Sequence, residues 1–247
     1  MKRLLILGGT SEARLLADRI VDRFSRRVDV TTSWAGRTAR YPDVSGKVRV
    51  GGFGGVDGLR GYLRQNKIDL LVDATHPFAQ KISAHASEAA RQMNTPKLNL
   101  LRENWNLPAS ENLYLTEDLN EAAEILKQIS KRTFLTTGSQ TVSAFSSIGS
   151  IWFLVRLVDP PTNKLPLKYY DLTIGRPPFD DAHERKLFEI HNIDTLVSKA
   201  SGGRVPEKIL VAQRIGCPII LITPPSISEG DSTTSIEDVI AWIAHQV

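Results

Sequence analysis

The stretch Arg3-Leu-Leu-Ile-Leu-Gly-Gly-Thr-Ser-Glu-Ala-Arg14 decides how the rest of this chain is read. Leu4 to Leu7 form a short unbroken apolar run, the composition of a strand buried on both faces of a parallel sheet. Gly8 and Gly9 follow, allowing a tight turn in which the backbone can pass close to a ligand. Thr10 and Ser11 are favoured helix-opening residues, and Ala13, Leu16, Ala17, Ile20 and Phe24 then recur as one apolar stripe at helical spacing. Strand, glycine turn and helix in that order aim backbone N–H groups and a helix dipole at a phosphate. The pattern departs from the dinucleotide fingerprint G-x-G-x-x-G: Gly8 is its first glycine, Thr10 stands where the second would be, and Ala13 is an allowed third. Gly8, Gly9, Thr10 and Ser11 are therefore candidate cofactor contacts. The alternative is a first βα turn that merely turns.

The 247 residues suffice for one large or two ordinary α/β domains with a sizeable core. No apolar run approaches the ~20 residues that span a bilayer, and the amino terminus enters a strand without a cleavable signal pattern, so a cytoplasmic protein is expected. Cys217 is the single cysteine, which excludes a disulfide framework and a cysteine metal site. Net charge is only +4, but residues 1–65 carry 13 Lys/Arg against 6 Asp/Glu. A basic first third suits an anionic ligand. Without a basic run interleaved with aromatics, nucleic acid is not an expected partner, and neither is a membrane.

Arg27 to Ser33 reads as a second strand, rich in β-branched residues. In a dinucleotide fold an acidic residue near its end would hold the ribose 2′-hydroxyl. Asp29 lies inside the strand instead, and the strand leads into Ser33, Trp34, Ala35, Gly36, Arg37, Thr38 and Arg40. Hydroxyls and guanidiniums there suit a 2′-phosphate, so Ser33, Arg37 and Thr38 become candidate contacts for NADP, a solvated basic loop being the alternative. Val48–Val50 is a short strand before a glycine-rich turn, Leu59–Asn66 a helix, and Ile68–Val72 a buried strand ending in Asp73-Ala-Thr-His-Pro-Phe78. Polar residues at the carboxyl end of a parallel strand mark the ligand rim of an open α/β sheet, which singles out Asp73, Thr75 and His76. His76 is the candidate proton donor, a structural hydrogen bond being its other reading. Pro77 is placed to open a helix running to about Met93.

Lys97–Leu101 is a further strand, and Arg102–Asn112 has the composition of a crossover, which sets domains at 1–110 and 111–247. The βα alternation then restarts. Helices are expected over Glu117–Ile129, Asp181–His191, Val205–Ile215 and Ile236–Gln246, and strands over Thr133–Thr136, Ile151–Val155, Thr195–Val197 and Pro218–Ile222. Thr137-Gly138-Ser139 forms a second hydroxyl-and-glycine turn before a helix. Lys199, Ser201, Gly202 and Gly203 form a third turn, where an ammonium, hydroxyls and exposed N–H groups make an anion site or a solvated loop. Asp159–Asp181, with five prolines, reads as irregular, a lid or an interdomain strap.

Several chemistries lack their residues. Histidines stand at 76, 85, 183, 191 and 245, and Leu187 occupies the place where His183-Glu184 would need a second histidine for zinc. No protein-bound metal is expected. A Gly-x-Ser-x-Gly elbow, a phosphate loop of the Gly-x-x-x-x-Gly-Lys type and a Tyr-x-x-x-Lys pair are also missing.

With these turns assembled, the chain resembles the precorrin-6A reductase (cobalt-precorrin-6A reductase) family of cobalamin biosynthesis over nearly its whole length. The likeness rests on Leu7–Arg14, Ala35-Gly-Arg-Thr38, Asp73-Ala-Thr-His-Pro-Phe-Ala79, Thr136-Thr-Gly138 and Ser198-Lys-Ala-Ser-Gly-Gly203. It departs at Thr223-Pro224-Pro225, where the family has Arg-Pro, and at Gly175–Phe179, which carries one residue more than Gly-Pro-Phe. The resemblance implies two Rossmann-like domains, each a parallel sheet flanked by helices, with the active site in the cleft between them. It also implies hydride transfer from NADPH to a ring-contracted tetrapyrrole, metal-free or carrying cobalt, to give precorrin-6B. A substrate fringed with carboxylates needs spread-out cationic and N–H donors. Thr137, Gly138, Ser139, Lys199, Ser201, Gly202 and Gly203 offer them, beside Asp73, Thr75 and His76. Another NADP-dependent reductase on the same scaffold, or a non-catalytic NADPH-binding sensor, is the alternative.

Overall fold

The computed structural model describes residues 1–36, 43–225 and 230–247. It contains β1 (Lys2–Leu7), α1 (Ser11–Phe24), β2 (Val28–Trp34), β3 (Lys47–Val50), α2 (Val56–Gln65), β4 (Leu70–Asp73), α3 (Gln80–Met93) and β5 (Lys97–Leu100). Next come β6 (Leu113–Thr116), α4 (Leu119–Ile129), β7 (Arg132–Leu135), a 3₁₀ turn Ser139–Phe145, β8 (Trp152–Leu157), β9 (Tyr169–Ile174), α5 (Asp181–Ile190), β10 (Thr195–Lys199), α6 (Glu207–Arg214) and β11 (Ile219–Ile222). β12 (Ser232–Thr233) and α7 (Ile236–Ala244) close the chain.

Two compact units result, residues 1–103 with 225–247, and residues 104–224. In the first, the order β3-β2-β1-β4-β5-β12 is parallel throughout. Alternation along β1 explains the layers. Leu4 and Ile6 face Leu16, Ala17 and Ile20 of α1 with Val239 and Ile243 of α7, whereas Leu5 and Leu7 face Leu59 and Leu63 of α2 with Ala86 and Ala89 of α3. Both faces are apolar, so Leu4–Leu7 has no polar position, and the charged residues of β1, Lys2 and Arg3, lie at its exposed start.

The second sheet, β9-β8-β7-β10-β11-β6, is also parallel throughout. Phe134, Leu154, Leu196 and Leu221 pack on one side against Phe188 of α5 and Ile209 of α6. Ala122 and Leu126 of α4, with Val142 and Phe145 of the 3₁₀ turn, are fully buried. The strand order reverses beside β1 in the first sheet and beside β7 in the second.

The sixth strands are exchanged. β6 follows β5 in the chain but joins β11, and β12 follows β11 but joins β5, where Asn99 N–H donates to Asp231 O at 2.9 Å and Leu101 N–H to Thr233 O at 2.8 Å. This corrects the expected boundary: residues 225–247 pack with the first unit because α7 supplies part of the β1 core. Three further expectations change. Residues 159–181 are not wholly irregular, since Tyr169–Ile174 is the edge strand β9. α3 starts at Gln80 rather than Pro77, because Phe78 N–H is taken by His76 Nδ1 at 3.3 Å and Ala79 N–H by His76 O at 2.7 Å. The segment after Gly138 is 3₁₀ rather than α, which weakens the dipole argument there.

Candidate functional site

The first glycine turn is shaped by the two strands beside it. Gly8 N–H donates to Ser33 O at 2.9 Å, continuing the β1–β2 ladder past Leu7. A Cβ on Gly8 would stand 3.1 Å from Thr32 Cγ2 and 3.4 Å from Ser33 O, a tight fit in which Thr32 would have to give by a few tenths of an ångström. Gly9 differs. Its φ is +117°, and no heavy atom lies within 4 Å of where a Cβ would stand. The turn is therefore closed at Gly8 and open at Gly9, where a ligand can come against the backbone.

Thr10 is committed elsewhere than its sequence position implies. Its buried hydroxyl accepts from Ala13 N–H at 3.1 Å as the cap of α1 and donates to Ala74 O at 2.7 Å. Its side chain therefore locks the β1 turn to the end of β4, and the groups of this turn that could meet an anion are the backbone N–H groups of the first helical turn. Ser11 Oγ donates to Glu12 Oε2 at 3.0 Å, and Arg102, just past β5, holds the same oxygen at 2.6 and 3.0 Å. Burial raises the Glu12 carboxyl's pKa, but the Arg102 charge and hydrogen bonds outweigh it and keep the group below its ordinary value. Nothing in the local sequence marked Arg102 beyond its place after a strand.

At the end of β2, Ser33 Oγ accepts from Arg49 Nη1 at 3.2 Å. Arg49 is the register partner of Ser33 on β3, and its guanidinium lies 3.7 Å from the centre of the Phe53 ring and donates to the carbonyls of Gly51 and Gly52. Arg49 is thus the described guanidinium at the strand end where sequence pointed to Arg37. Arg37 and Thr38 lie outside the described residues.

At the end of β4, Asp73 is buried and its Oδ1 accepts from Thr75 N–H at 3.1 Å and Thr75 Oγ1 at 2.7 Å. These two residues build the turn on which His76 stands. A neutral His76 ring that accepts at Nδ1 carries its proton on Nε2. With Ala74 N–H donating to Leu7 O at 3.0 Å, the candidates at the ends of β1, β2 and β4 share one rim.

In the second unit, Gly138 repeats Gly9: φ is +90° and its Cβ position is open within 4 Å. Thr137 is buried, its hydroxyl accepting from Thr141 Oγ1 at 2.9 Å, so it builds the turn while Ser139 is exposed. Ser201 N–H donates to Lys199 O at 2.9 Å, and Gly202 and Gly203 both take positive φ, 67° and 72°. β7 and β10 are neighbours, which places both turns at adjacent strand ends.

Beside them is a charged cluster that sequence did not single out. Arg156, ending the apolar run of β8, binds Glu184 of α5 through two bonds of 2.6 and 2.9 Å, with side chains 9% and 2% exposed. Its guanidinium lies 4.6 Å from the Phe134 ring and 4.1 Å from Phe179. Lys208, in the first turn of α6, donates to Thr136 Oγ1 at 2.7 Å. Burial and the Arg156 charge push the Lys208 ammonium down to about 7, against the opposing pull of Glu184. Glu184 was readable as a polar residue sharing the buried face of α5 with Phe188 four residues on.

Two doubly wound parallel sheets, with a capped glycine turn at the central strand of the first, define a dinucleotide-binding type of α/β protein. The chain is matched over residues 3–244 by the model of the precorrin-6x reductase CbiJ/CobK family, and it belongs to that family. A precorrin-6A reductase of Rhodococcus erythropolis is 40% identical, with 98% of each chain covered. A cobalt-precorrin-6A reductase of Priestia megaterium is 27% identical, again with 98% of each covered. The solved structure of a CobK precorrin-6A reductase superposes with a TM-score of 0.92 at 36% identity, covering 99% of this chain and 97% of its own. The chain is an oxidoreductase of the cobalamin-biosynthesis reductases, enzymes that need a reduced nicotinamide cofactor.

Proposed function

We propose that this chain reduces the metal-free precorrin-6A macrocycle to precorrin-6B with NADPH as electron donor. The observation that carries the reading is full-length similarity graded by substrate. Relatives named precorrin-6A reductase are 36–40% identical, and those named cobalt-precorrin-6A reductase 25–27%. NADPH supplies a hydride when bound. The residues present fit it: Gly9 leaves an open approach, the first turn of α1 offers backbone N–H groups, and no acidic side chain ends β2. Ser33 and Arg49, with Arg37 and Thr38, are the groups we assign to the 2′-phosphate.

The substrate carries many carboxylates, and the second unit supplies their partners. Lys199 gives an ammonium, Ser139 and Ser201 hydroxyls, Gly138 backbone that no side chain covers, and Gly202 and Gly203 a turn at positive φ. Asp73 and Thr75 act by holding His76, whose Nε2–H is the proton we assign to the macrocycle. The cytoplasm is the proposed setting, and among the described residues no helix is long and apolar enough to cross a membrane. Anaerobic steady-state rates with both macrocycles and both reduced nicotinamides test the reading. Precorrin-6A with NADPH should give the highest kcat/KM of the four pairs. Faster turnover of the cobalt form would reverse the substrate assignment, and equal use of NADH would remove the 2′-phosphate contacts.

A further inference from the structure

We propose that Lys97 is a positioning residue for His76: anchored on α3 and on Asn99, it supplies the counter-charge of the buried Asp73 carboxylate that holds the His76 turn. The inference rests on the reading of His76 as proton donor and names what keeps that side chain in place. Two observations carry it. The first is a set of hydrogen bonds that reaches the turn from β5. Lys97 opens that strand, and its Nζ donates to Ser87 Oγ of α3 at 3.0 Å and to Asn99 Oδ1 at 2.5 Å. Ser87 Oγ donates in turn to Ser83 O at 3.1 Å. Ser83 Oγ lies 3.2 Å from Thr75 Oγ1. Thr75 gives its own hydroxyl hydrogen to Asp73 Oδ1, so Ser83 is the donor of that pair. Asp73 and Thr75 then form the turn on which His76 accepts from Phe78 N–H.

The second observation is charge. Asp73 is 5% exposed and ends a strand whose other residues, Leu70–Val72, are apolar. A buried carboxylate is costly without a counter-charge. Burial pulls the Lys97 ammonium below its ordinary range, and the charge of Asp73 opposes that pull. The attraction is mutual, so Lys97 offsets part of the cost of burying Asp73. A lysine side chain has much rotamer freedom to lose, and here it is held at its tip from two elements. Asn99 is itself fixed. It is 2% exposed and gives both its backbone N–H and its Nδ2 to Asp231 O, at 2.9 and 3.0 Å, just before β12. None of these groups belongs to the glycine turn after β1, so the role is separable from cofactor binding.

The test reads the turn and the reaction separately. Amide hydrogen exchange of the ligand-free protein, followed by NMR, reads the turn: Thr75 N–H reports the bond to Asp73 Oδ1 and Phe78 N–H the bond to His76 Nδ1. In Lys97→Met both should exchange about tenfold faster than in wild type, while the amides of β1 keep their rates. Anaerobic turnover of precorrin-6A with NADPH reads the reaction. Lys97→Met should lower kcat by about ten- to hundredfold and keep NADPH affinity. In a His76→Gln chain, itself slowed by roughly 10²–10⁴-fold, the same substitution should cost nothing more, because Lys97 acts through His76. Wild-type exchange at both amides overturns the positioning role. Wild-type kcat where His76→Gln is impaired overturns it too, as does the same fold-loss of kcat with and without His76. If Lys97→Met does not fold, Lys97→Gln, which keeps a donor and removes the charge, is read by the same criteria. Faster exchange in Lys97→Met, beside a His76→Gln chain that turns over at the wild-type rate, keeps Lys97 as the support of the turn and refutes His76 as proton donor.

Discussion

Thr10→Val keeps the side-chain volume and removes one hydroxyl that does two structural jobs. It caps α1 through Ala13 N–H and satisfies the Ala74 carbonyl. Loss of the cap costs about 1 kcal/mol. Leaving a buried carbonyl without its donor costs roughly 1–3 kcal/mol more. A total of roughly 2–4 kcal/mol should lower the urea midpoint by about 1–2 M at ordinary slopes. Thr10→Ser restores both bonds and should unfold within about half a molar of wild type. The hydroxyl is already spent, so the folded Val variant should bind NADPH within about threefold of wild type by calorimetry. A Val variant with a wild-type midpoint, or one equally stable that no longer binds NADPH, would refute the structural role given to this residue.

Gly9→Ala meets no side chain but places a Cβ at φ +117°, at a cost of about 1–3 kcal/mol, so the chain should fold and lose NADPH affinity by more than tenfold. A calorimetric titration beside a thermal melt separates cofactor loss from unfolding. Arg49→Ala should weaken NADPH by roughly ten- to hundredfold and NADH by much less, since one charged hydrogen-bond partner of a 2′-phosphate is removed; equal losses for both would exclude it. Lys208 also makes a stability prediction. Burial holds its folded-state pKa at about 7, below the 10.5 of an ordinary lysine, so the unfolded chain binds more protons between those values and stability should rise as pH climbs from 7 towards 10. Lys208→Met should abolish that rise in urea midpoints.

The central strands were legible because burial on two faces writes an uninterrupted apolar run. Leu4–Leu7, Leu70–Val72 and Ile219–Ile222 all sit where that rule puts them. The edge strands were not. Ser232–Thr233 has no apolar signal, Leu115 of β6 is 61% exposed, and prolines on either side of Tyr169–Ile174 hid a run of good strand residues. The exchange of sixth strands is a matter of connection rather than composition, so Pro225–Val247 was placed by chain order in the wrong unit. Turns were found by their glycines and hydroxyls, but which hydroxyl faces a ligand depends on neighbours. Thr10 and Thr137 look available in sequence and are bonded inside the protein. Arg49 and Lys208 escaped for the converse reason. Their partners, Ser33 and Thr136, are 16 and 72 residues away and meet them only through the strand order.

The most direct test of the central claim is isotope transfer. Anaerobic incubation of the protein with precorrin-6A and NADPH deuterated at the nicotinamide C4, in each stereochemical form, should give one form whose product gains one deuterium as NADPH absorbance falls in equal amount. Mass spectrometry of the tetrapyrrole reads the result. Product without deuterium from either form, or NADPH left unoxidised while bound, would contradict hydride transfer to this macrocycle.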